Sequence, residues 1–245
     1  PPGYPFFLAP FLAFGVWGVS LARWTQMFLS AYTAVLTYRF AVSLRLGRPA
    51  ALVAAAFVAV HPMLVFFSVR MMSETLFLVL VGCFFLIWLK AWRTGALRDA
   101  ALAGFLGGLS ALTRPVMLPF AGVLALVALW RRREQPRWVA LVAVCGMAWA
   151  ATLAPWTARN WVTHHHFVPI SVQGGGNFYE GLTVDPDEIR FKRSHAMGDE
   201  ARALGISDPI AFDEYFAGKA RSWIRANPGA FLRLCAVNAV RFWRL

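Results

Sequence analysis

Long apolar stretches, separated by short basic clusters, fill most of the first two thirds of the chain. Their length and their lack of interior charge predict membrane-spanning helices. The six predicted spans are 19–43, 50–69, 74–92, 100–112, 115–130 and 138–155. The fourth and fifth are shorter than the roughly 20 residues that a full span needs. We expect them to form a hairpin broken at Arg114-Pro115, because proline removes a backbone donor.

The segments outside these spans complete the predicted organisation. Residues 1–18 are apolar but interrupted by proline and glycine, which predicts an interfacial or re-entrant segment on the outer side. A transmembrane bundle of about six spans then covers 19–156, and 157–227 form an outer loop with an amphipathic helix. That helix begins at Ser207-Asp208-Pro209 and ends at Asn227-Pro228. We expect 228–245 to start a further membrane-associated helix.

Composition supports this interpretation. Hydrophobic residues make up 59% of the 245 residues, charged residues only 15%, and the mean hydropathy is +0.55. Soluble domains have about 25% charged residues, so a soluble globule, a disordered chain and a disulfide scaffold are excluded. The three cysteines have no spacing typical of disulfides or metal sites. The predicted fold class is therefore all-α, a polytopic membrane helix bundle.

The distribution of charge predicts the topology. Ten basic residues lie in three linkers, namely Arg39, Arg45, Arg48, Lys90, Arg93, Arg98, Arg131, Arg132, Arg133 and Arg137. If Arg114 lies in a turn, all three linkers share one side of the membrane, as the positive-inside rule requires. The net charge of +12 then reflects membrane topology rather than binding of nucleic acid.

Charged residues at the opposite ends of the spans are scarce and are therefore candidates for chemistry. Glu74 is the one carboxylate at an outer span mouth. A charge at membrane depth costs free energy, so a carboxylate kept there is a candidate for a function. The alternative is an ion pair with Arg70, four residues earlier. Arg70, Arg114 and Arg159 are candidates for binding a phosphate in the outer leaflet. They could instead bind helix-end carbonyls or lipid headgroups.

Two further runs carry weaker signals. Residues 164–166 are three histidines, but adjacent side chains diverge, so a polar interfacial loop is favoured over a metal site. Residues 174–176 are three glycines before Asn177, and no Lys-Ser/Thr follows them, so this is not a P-loop. We expect a flexible turn, which could also let a sugar approach the backbone. The sequence indicates no required cofactor and gives no support for a divalent metal.

Several motifs occur in an order that resembles one family. They are Pro1-Pro2-Gly3-Tyr4-Pro5, Arg23, Ser73-Glu74, Gly107-Gly108-Leu109-Ser110-Ala111-Leu112-Thr113-Arg114-Pro115, Pro155-Trp156-Thr157-Ala158-Arg159-Asn160 and Phe167-Val168-Pro169-Ile170, followed by the glycine-rich stretch 174–181. Together they resemble bacterial integral-membrane glycosyltransferases of the GT-C fold. The relatives, in glycosyltransferase family 39, are the dolichyl-phosphate-mannose protein mannosyltransferases and the lipid A aminoarabinose transferases.

The resemblance implies a sugar donor on a polyprenyl phosphate. The acceptor would be a hydroxyl of a lipid, glycan or protein at the outer face of the bacterial inner (cytoplasmic) membrane. The family's usual catalytic aspartate precedes the Pro-Pro-Gly-Tyr-Pro stretch, so we expect it upstream of Pro1. The catalytic residue within this chain is therefore unknown, with Glu74 as the candidate. We expect an internal piece of a longer protein, inactive alone. The candidate substrate-binding residues are Tyr4, Asn160, Asn177, Tyr179 and Glu180.

Two other functions remain open from the sequence, a membrane transporter or lipid flippase and a non-catalytic assembly subunit. Transporters often have inverted repeats and polar residues near the membrane midplane. Here the span centres are almost entirely apolar, and the polar residues gather at the outer mouth. This pattern favours chemistry at the membrane surface over translocation.

Overall fold

The computed structural model describes residues 1–182 and 190–242, and within these ranges the regular structure is helical, without strands. The prediction of an all-α helix bundle is therefore confirmed. The chain divides into two compact units, unit 1 (Pro1–Ile170) and unit 2 (Ser171–Leu245). Residues 183–189, within the predicted outer loop 157–227, and the last three residues, 243–245, lie outside the described residues.

Unit 1 contains eight α-helices. They are α1 (Gly3–Leu8), α2 (Gly18–Ser43), α3 (Arg48–Val60), α4 (Pro62–Val69), α5 (Glu74–Thr94), α6 (Leu97–Thr113), α7 (Phe120–Trp130) and α8 (Trp138–His164), with 3-10 helices at Ala9–Trp17, Pro115–Met117 and Arg132–Glu134. Three helical runs of the described residues are long and apolar enough to cross a membrane: Gly3–Ser43, α5 and α8. The total becomes four if the α3–α4 pair is one span. Six spans therefore stay a prediction.

In two predicted spans the helices differ from expectation, and both differences involve proline. Residues 50–69 do not form one straight helix, because α3 and α4 meet at an angle of 49°. His61 between them is extended, as expected before Pro62. Conversely, α8 does not end at Pro155 but continues to His164, since membrane helices can accommodate an internal proline.

The core of unit 1 lies between α5, α6 and α8. Small residues allow α8 to approach α6 closely, as their four-residue spacing predicts. A Cβ atom added to Gly104 would lie 2.9 Å from the Cβ of Ala148, and one added to Gly108 would lie 2.6 Å from the Cβ of Thr152. Large apolar side chains cover the outside of the unit, and Val16 is 90% exposed. Such a surface is expected where lipid replaces water.

The regular structure in the described part of unit 2 is helical, with α9 (Gly174–Glu180), α10 (Arg190–Ala203), α11 (Pro209–Ala226) and α12 (Pro228–Phe242). The predicted ends of α11 are confirmed, because the Asp208 carboxylate accepts from the Ala211 N–H at 2.9 Å and Asn227 closes the helix. The flexible turn predicted at 174–176 is wrong. These glycines begin α9, because the N–H groups of Gly175 and Gly176 donate to Asp213 at 2.7 and 3.0 Å.

Candidate functional site

Distant sequence motifs meet at one end of unit 1, which we call the motif end. It comprises the start of α1 and residues 70–74, 112–115 and 156–170. Gly3 packs against the carboxyl end of α6, where an added Cβ would lie 2.8 Å from the backbone nitrogen of Thr113. The rings of Phe6 and Trp156 meet edge to face at 6.0 Å. Helix α1 therefore contacts both α6 and α8.

A buried glutamine connects three segments of the motif end. The Gln26 side chain, on α2, is fully buried and accepts a hydrogen bond from the Tyr4 hydroxyl at 3.0 Å. Its amide donates to the carbonyls of Arg70 and Met72 at 3.3 and 3.0 Å. Gln26 thereby fixes α1 and the turn between α4 and α5. Our sequence interpretation missed this residue, although an amide inside an apolar span is a signal for such a role.

Glu74 and Arg114 form an ion pair at the motif end. Glu74 is the first residue of α5, Arg114 follows the last residue of α6, and Nη1 of Arg114 contacts Oε1 of Glu74. The same Nη1 donates to the Ser73 hydroxyl at 3.4 Å. The Glu74 and Arg114 side chains are 21% and 39% exposed. The alternative pairing of Glu74 with Arg70 is wrong, because α4 ends at Val69 and Arg70 is extended, which breaks the four-residue helical spacing.

The other two candidate arginines remain exposed. The Arg70 guanidinium lies 5.1 Å from the centre of the Phe66 ring, and that of Arg159 lies 5.1 Å from the Trp156 ring. Arg159 also donates to the Asn160 side-chain oxygen at 3.2 Å. In the described part of the chain, no carboxylate pairs with either arginine. Both charges are therefore available to an anion, and their convergence with Arg114 on one phosphate stays a prediction.

The last turns of α8 bind the chain that follows them. Asn160 is buried, and its amide donates to the carbonyls of Val168 and Ile170 at 3.0 and 3.3 Å. The Trp156 indole donates to the Ile170 carbonyl at 2.8 Å, and the Thr157 hydroxyl to that of Pro169 at 2.9 Å. Asn160 thus has a structural role, and its contact with substrate stays a prediction.

The remaining candidate substrate residues lie on α9 in unit 2. Asn177 is exposed, whereas Tyr179 and Glu180 are half-buried. The Tyr179 ring lies 5.3 Å from that of Phe216 and 5.0 Å from the Lys219 amine. Tyr4 and Asn160 belong instead to unit 1, so the five candidates are divided between the two units.

A charged cluster in unit 2 couples the Glu200 carboxylate to a lysine and a tyrosine. Hydrogen bonds from Lys219, at 2.7 and 2.8 Å, and from Tyr215, at 2.6 Å, lower the pKa of the Glu200 carboxyl. The hydrogen bond that Tyr215 donates to Glu200 in turn raises the pKa of the tyrosine. Because Glu200 lies on α10 and both of its donors lie on α11, this cluster links the two helices. Within α11, Lys219 also lies over the Tyr215 and Phe216 rings at 5.7 and 5.6 Å.

The histidine run provides no metal centre in the structure. Residues 1–182 and 190–242 contain no group of three or more His, Cys, Asp or Glu residues arranged to hold a metal ion. His164 is the last residue of α8, and His165, in the left-handed conformation with φ 55°, ends that helix. The histidines therefore form the boundary of α8.

Comparison with known families identifies the bundle. The family model described as dolichyl-phosphate-mannose-protein mannosyltransferase matches residues 1–156. The match includes Tyr4, Gln26, Glu74 and Arg114, and it extends to Trp156. No curated protein and no solved structure matches the chain significantly. Because the matched region is more than half of the chain, this protein belongs to the dolichyl-phosphate-mannose-protein mannosyltransferase family of membrane glycosyltransferases.

Proposed function

We propose that the chain is part of a multi-pass enzyme that transfers a sugar from a polyprenyl phosphate to a hydroxyl acceptor. The acceptor is a lipid, glycan or protein at the outer face of a bacterial cytoplasmic membrane. One observation carries the proposal. The family motifs meet where Arg114 is oriented by Glu74 and Ser73, and Arg70 and Arg159 lie exposed at neighbouring helix ends.

The proposed reaction begins with attack of the acceptor hydroxyl oxygen on the anomeric carbon of the sugar. The bond from that carbon to the phosphate oxygen breaks, and the lipid phosphate leaves with the bonding electrons. A carboxylate takes the hydroxyl proton, and cations stabilise the charge that develops on the phosphate. Each of these needs can be assigned to a residue.

Arg114 is the proposed phosphate ligand. Only Nη1 of its guanidinium is engaged by Glu74 and Ser73, and an arginine carries five N–H donors in a planar fork. Nε and Nη2 have no hydrogen-bond partner among the described residues. They can therefore bind two phosphate oxygens in one plane. Arg70 and Arg159 would add positive charge at the same site.

Glu74 is the proposed positioning residue for Arg114 rather than the base. Its carboxylate already contacts the arginine, so we assign proton removal to the aspartate that the family resemblance predicts upstream of Pro1. Tyr4 and Asn160, in unit 1, are proposed substrate contacts, and Asn177, Tyr179 and Glu180, in unit 2, are proposed separately as substrate contacts. Asn177→Ala should raise the KM for a substrate without changing Tm, because Asn177 is exposed.

A reconstituted assay tests the reaction against its alternatives. The full-length protein is placed in liposomes with labelled polyprenyl-phosphate sugar, and sugar transfer and lipid movement are measured together. We expect transfer, with release of unglycosylated lipid phosphate. Movement of intact donor across the membrane without bond cleavage would instead support a flippase. Neither transfer nor movement, under conditions in which the protein is folded, would support an assembly subunit.

The arginine site has its own test. Arg70→Ala, Arg114→Ala and Arg159→Ala are compared for turnover per folded molecule and for Tm. A phosphate site predicts loss of turnover at each position. If all three variants unfold at lower temperature yet keep normal turnover, the arginines only stabilise helix ends and the phosphate site is wrong.

The proposed outer location is tested by labelling. Single cysteines at positions 114 and 132 are treated with a membrane-impermeant maleimide from each side of the membrane. The positive-inside rule predicts that position 114 reacts from outside and position 132 from the cytoplasm. Reaction of position 114 only from the cytoplasm would overturn the proposed location.

A further inference from the structure

The carboxyl end of α7 forms a cleft that the proposed transfer reaction does not use. A cavity of about 470 Å³ is lined by Leu126, Leu129, Trp130, Arg132 and Arg133. The leucines and Trp130 belong to the last two turns of α7, and the arginines belong to the 3-10 helix that follows. We call this cavity the α7 cleft. It has an apolar wall and two cations at one rim.

The two cations of the α7 cleft have no acidic partner. Glu134, the carboxylate of this turn, contacts the neighbouring Arg131 at 2.8 Å. Across the described ranges, no carboxylate pairs with Arg132 or Arg133, and both are exposed. The two guanidinium groups that line the cleft therefore remain to bind an anion, and a guanidinium can bind two phosphate oxygens at once.

The wall of the cleft continues along a surface of α7 that points away from the rest of unit 1. Leu126 is 67% exposed, and a Cβ added to Gly122, one turn earlier, would meet nothing within 4 Å. Trp130 is 83% exposed at the helix end, where an indole favours the membrane interface. On the other side of α7, a cavity of about 120 Å³ is lined mainly by apolar side chains, including Trp88 and Trp92. Apolar surface thus extends along α7 directly below the charged rim.

We propose that the α7 cleft binds an anionic diacyl phospholipid. Its phosphate would lie between Arg132 and Arg133, and its acyl chains would follow Leu126 and Leu129 toward the middle of the bilayer. Basic residues immediately beside a transmembrane helix attract anionic headgroups in this way. An acidic protein segment would satisfy the two arginines but would not cover the apolar wall. The combination of charge and wall therefore favours a lipid.

Lipid titration followed by native mass spectrometry tests the proposal on the full-length protein in detergent. The probes are phosphatidylglycerol and phosphatidylcholine with identical acyl chains. Arg132→Gln/Arg133→Gln should weaken phosphatidylglycerol binding about 10- to 30-fold, given the attraction of about 1 kcal/mol per basic residue near an anionic surface. Binding of phosphatidylcholine should change little. The matched control is Arg45→Gln/Arg48→Gln, which removes two exposed charges from another linker.

Three results of the lipid titration would overturn the proposal. They are unchanged phosphatidylglycerol binding, an equal loss for both lipids, and an equal loss in the control variant. Binding of a polyglutamate peptide at the two arginines without any phosphatidylglycerol binding would also overturn it, in favour of a protein partner. A photoactivatable phosphatidylglycerol provides a second measurement on the wild-type protein. Its cross-links should map to 122–133, and cross-links confined to other helices would contradict the site.

Discussion

The hairpin formed by α5 and α6 has an ion pair at each end, and the two pairs have different surroundings. At the motif end, Glu74 begins α5 and contacts Arg114 after α6. At the opposite end, Lys90 near the end of α5 contacts Asp99 in the first turn of α6 at 3.0 Å. Both pairs join the same two helices. An ion pair in this position therefore does not by itself identify a functional site.

Buried glutamines extend the parallel between the two ends. Gln26 fixes the turn before α5 at the motif end. At the opposite end Gln135 donates to the Trp92 carbonyl and accepts from the Arg137 N–H at 3.1 Å. What distinguishes the motif end is the hydrogen bond from Tyr4 to its glutamine and the meeting of family motifs. The comparison shows that the site is built on helix-end contacts that the bundle also uses elsewhere for stability.

The largest expected effect comes from breaking one ion pair at a time. Arg114→Ala should lower sugar transfer about 10²- to 10³-fold, by analogy with the loss of a preorganised donor to developing charge. Lys90→Ala, at the opposite end, should leave transfer per folded molecule almost unchanged, because Lys90 and its partner Asp99 lie away from the proposed phosphate site. The measurement is turnover per folded molecule, with Tm recorded for each variant.

Arg114→Lys sharpens this comparison. A lysine keeps the charge but cannot bind two oxygens in one plane, so activity should recover only partly. Equal activity of Arg114→Ala and Lys90→Ala would show that the two ends are functionally alike. That outcome would remove the motif end as the phosphate site.

A substitution in the middle of α6 should weaken the packing of α6 against α8. Gly104→Ala forces a methyl group against α8 and should lower the free energy of unfolding by about 1–3 kcal/mol. Gly146→Ala, where an added Cβ meets nothing within 4 Å, is the matched control and should be neutral or stabilising. Thermal unfolding in detergent measures both. Equal Tm values would contradict the close approach of α6 and α8.

Replacing the two buried glutamines separates stability from activity. Gln26→Leu removes the side-chain donor to the Met72 carbonyl and the acceptor of the Tyr4 hydroxyl. Gln135→Leu removes the side-chain donor to the Trp92 carbonyl. Each substitution should cost about 1–3 kcal/mol. Only Gln26→Leu should also reduce turnover per folded molecule, since Gln26 positions the turn that precedes Glu74. A matched loss of turnover in both variants would mean that general loosening of the bundle, rather than the motif end, controls activity.

The smallest effect is expected at the carboxylate–cation pair of unit 2, which is a solvated counterpart of the two pairs in the hairpin. The folded-state pKa of Glu200 lies below its ordinary value of 4.5, because Lys219 and Tyr215 donate to it. Its contribution to stability is therefore present above pH 4.5 and is lost as the pH falls through the lower, folded-state pKa. Hydrogen exchange of α10 and α11 should quicken over that acid range, and Glu200→Gln should flatten this dependence. Glu214→Gln, also on α11, is the control and should leave this pH dependence unchanged.

The sequence predicted helices well wherever local signals decide them. The long apolar stretches located α2 and α5, and the Asp208-Pro209 start of α11 followed from capping chemistry. Hydropathy could not predict the bend at His61, because a broken and a straight span have the same composition. Pro62 begins a new helix whereas Pro155 does not interrupt α8, so the outcome depends on surroundings that a local pattern does not contain.

The sequence singled out candidate site residues but could not predict which of them contact one another. Scarcity of charge singled out Glu74 and Arg114 separately, yet their pairing joins residues that are 40 positions apart. The nearer partner, Arg70, was the local alternative, and it was wrong because the helix ends before it. Gln26 was missed for the same reason, since its hydrogen bonds reach residues 70 and 72. Only the tertiary structure brings these groups together.

The hydrogen bonds that hold residues 168–170 to α8 have a consequence for how the family can diversify. Asn160, Trp156 and Thr157 secure these residues to unit 1 just before the division at Ile170. The polypeptide is thus fastened before unit 2 begins, and changes in the length or sequence of unit 2 need not propagate into the motif end. Selection can therefore remodel the second unit while the first keeps its architecture.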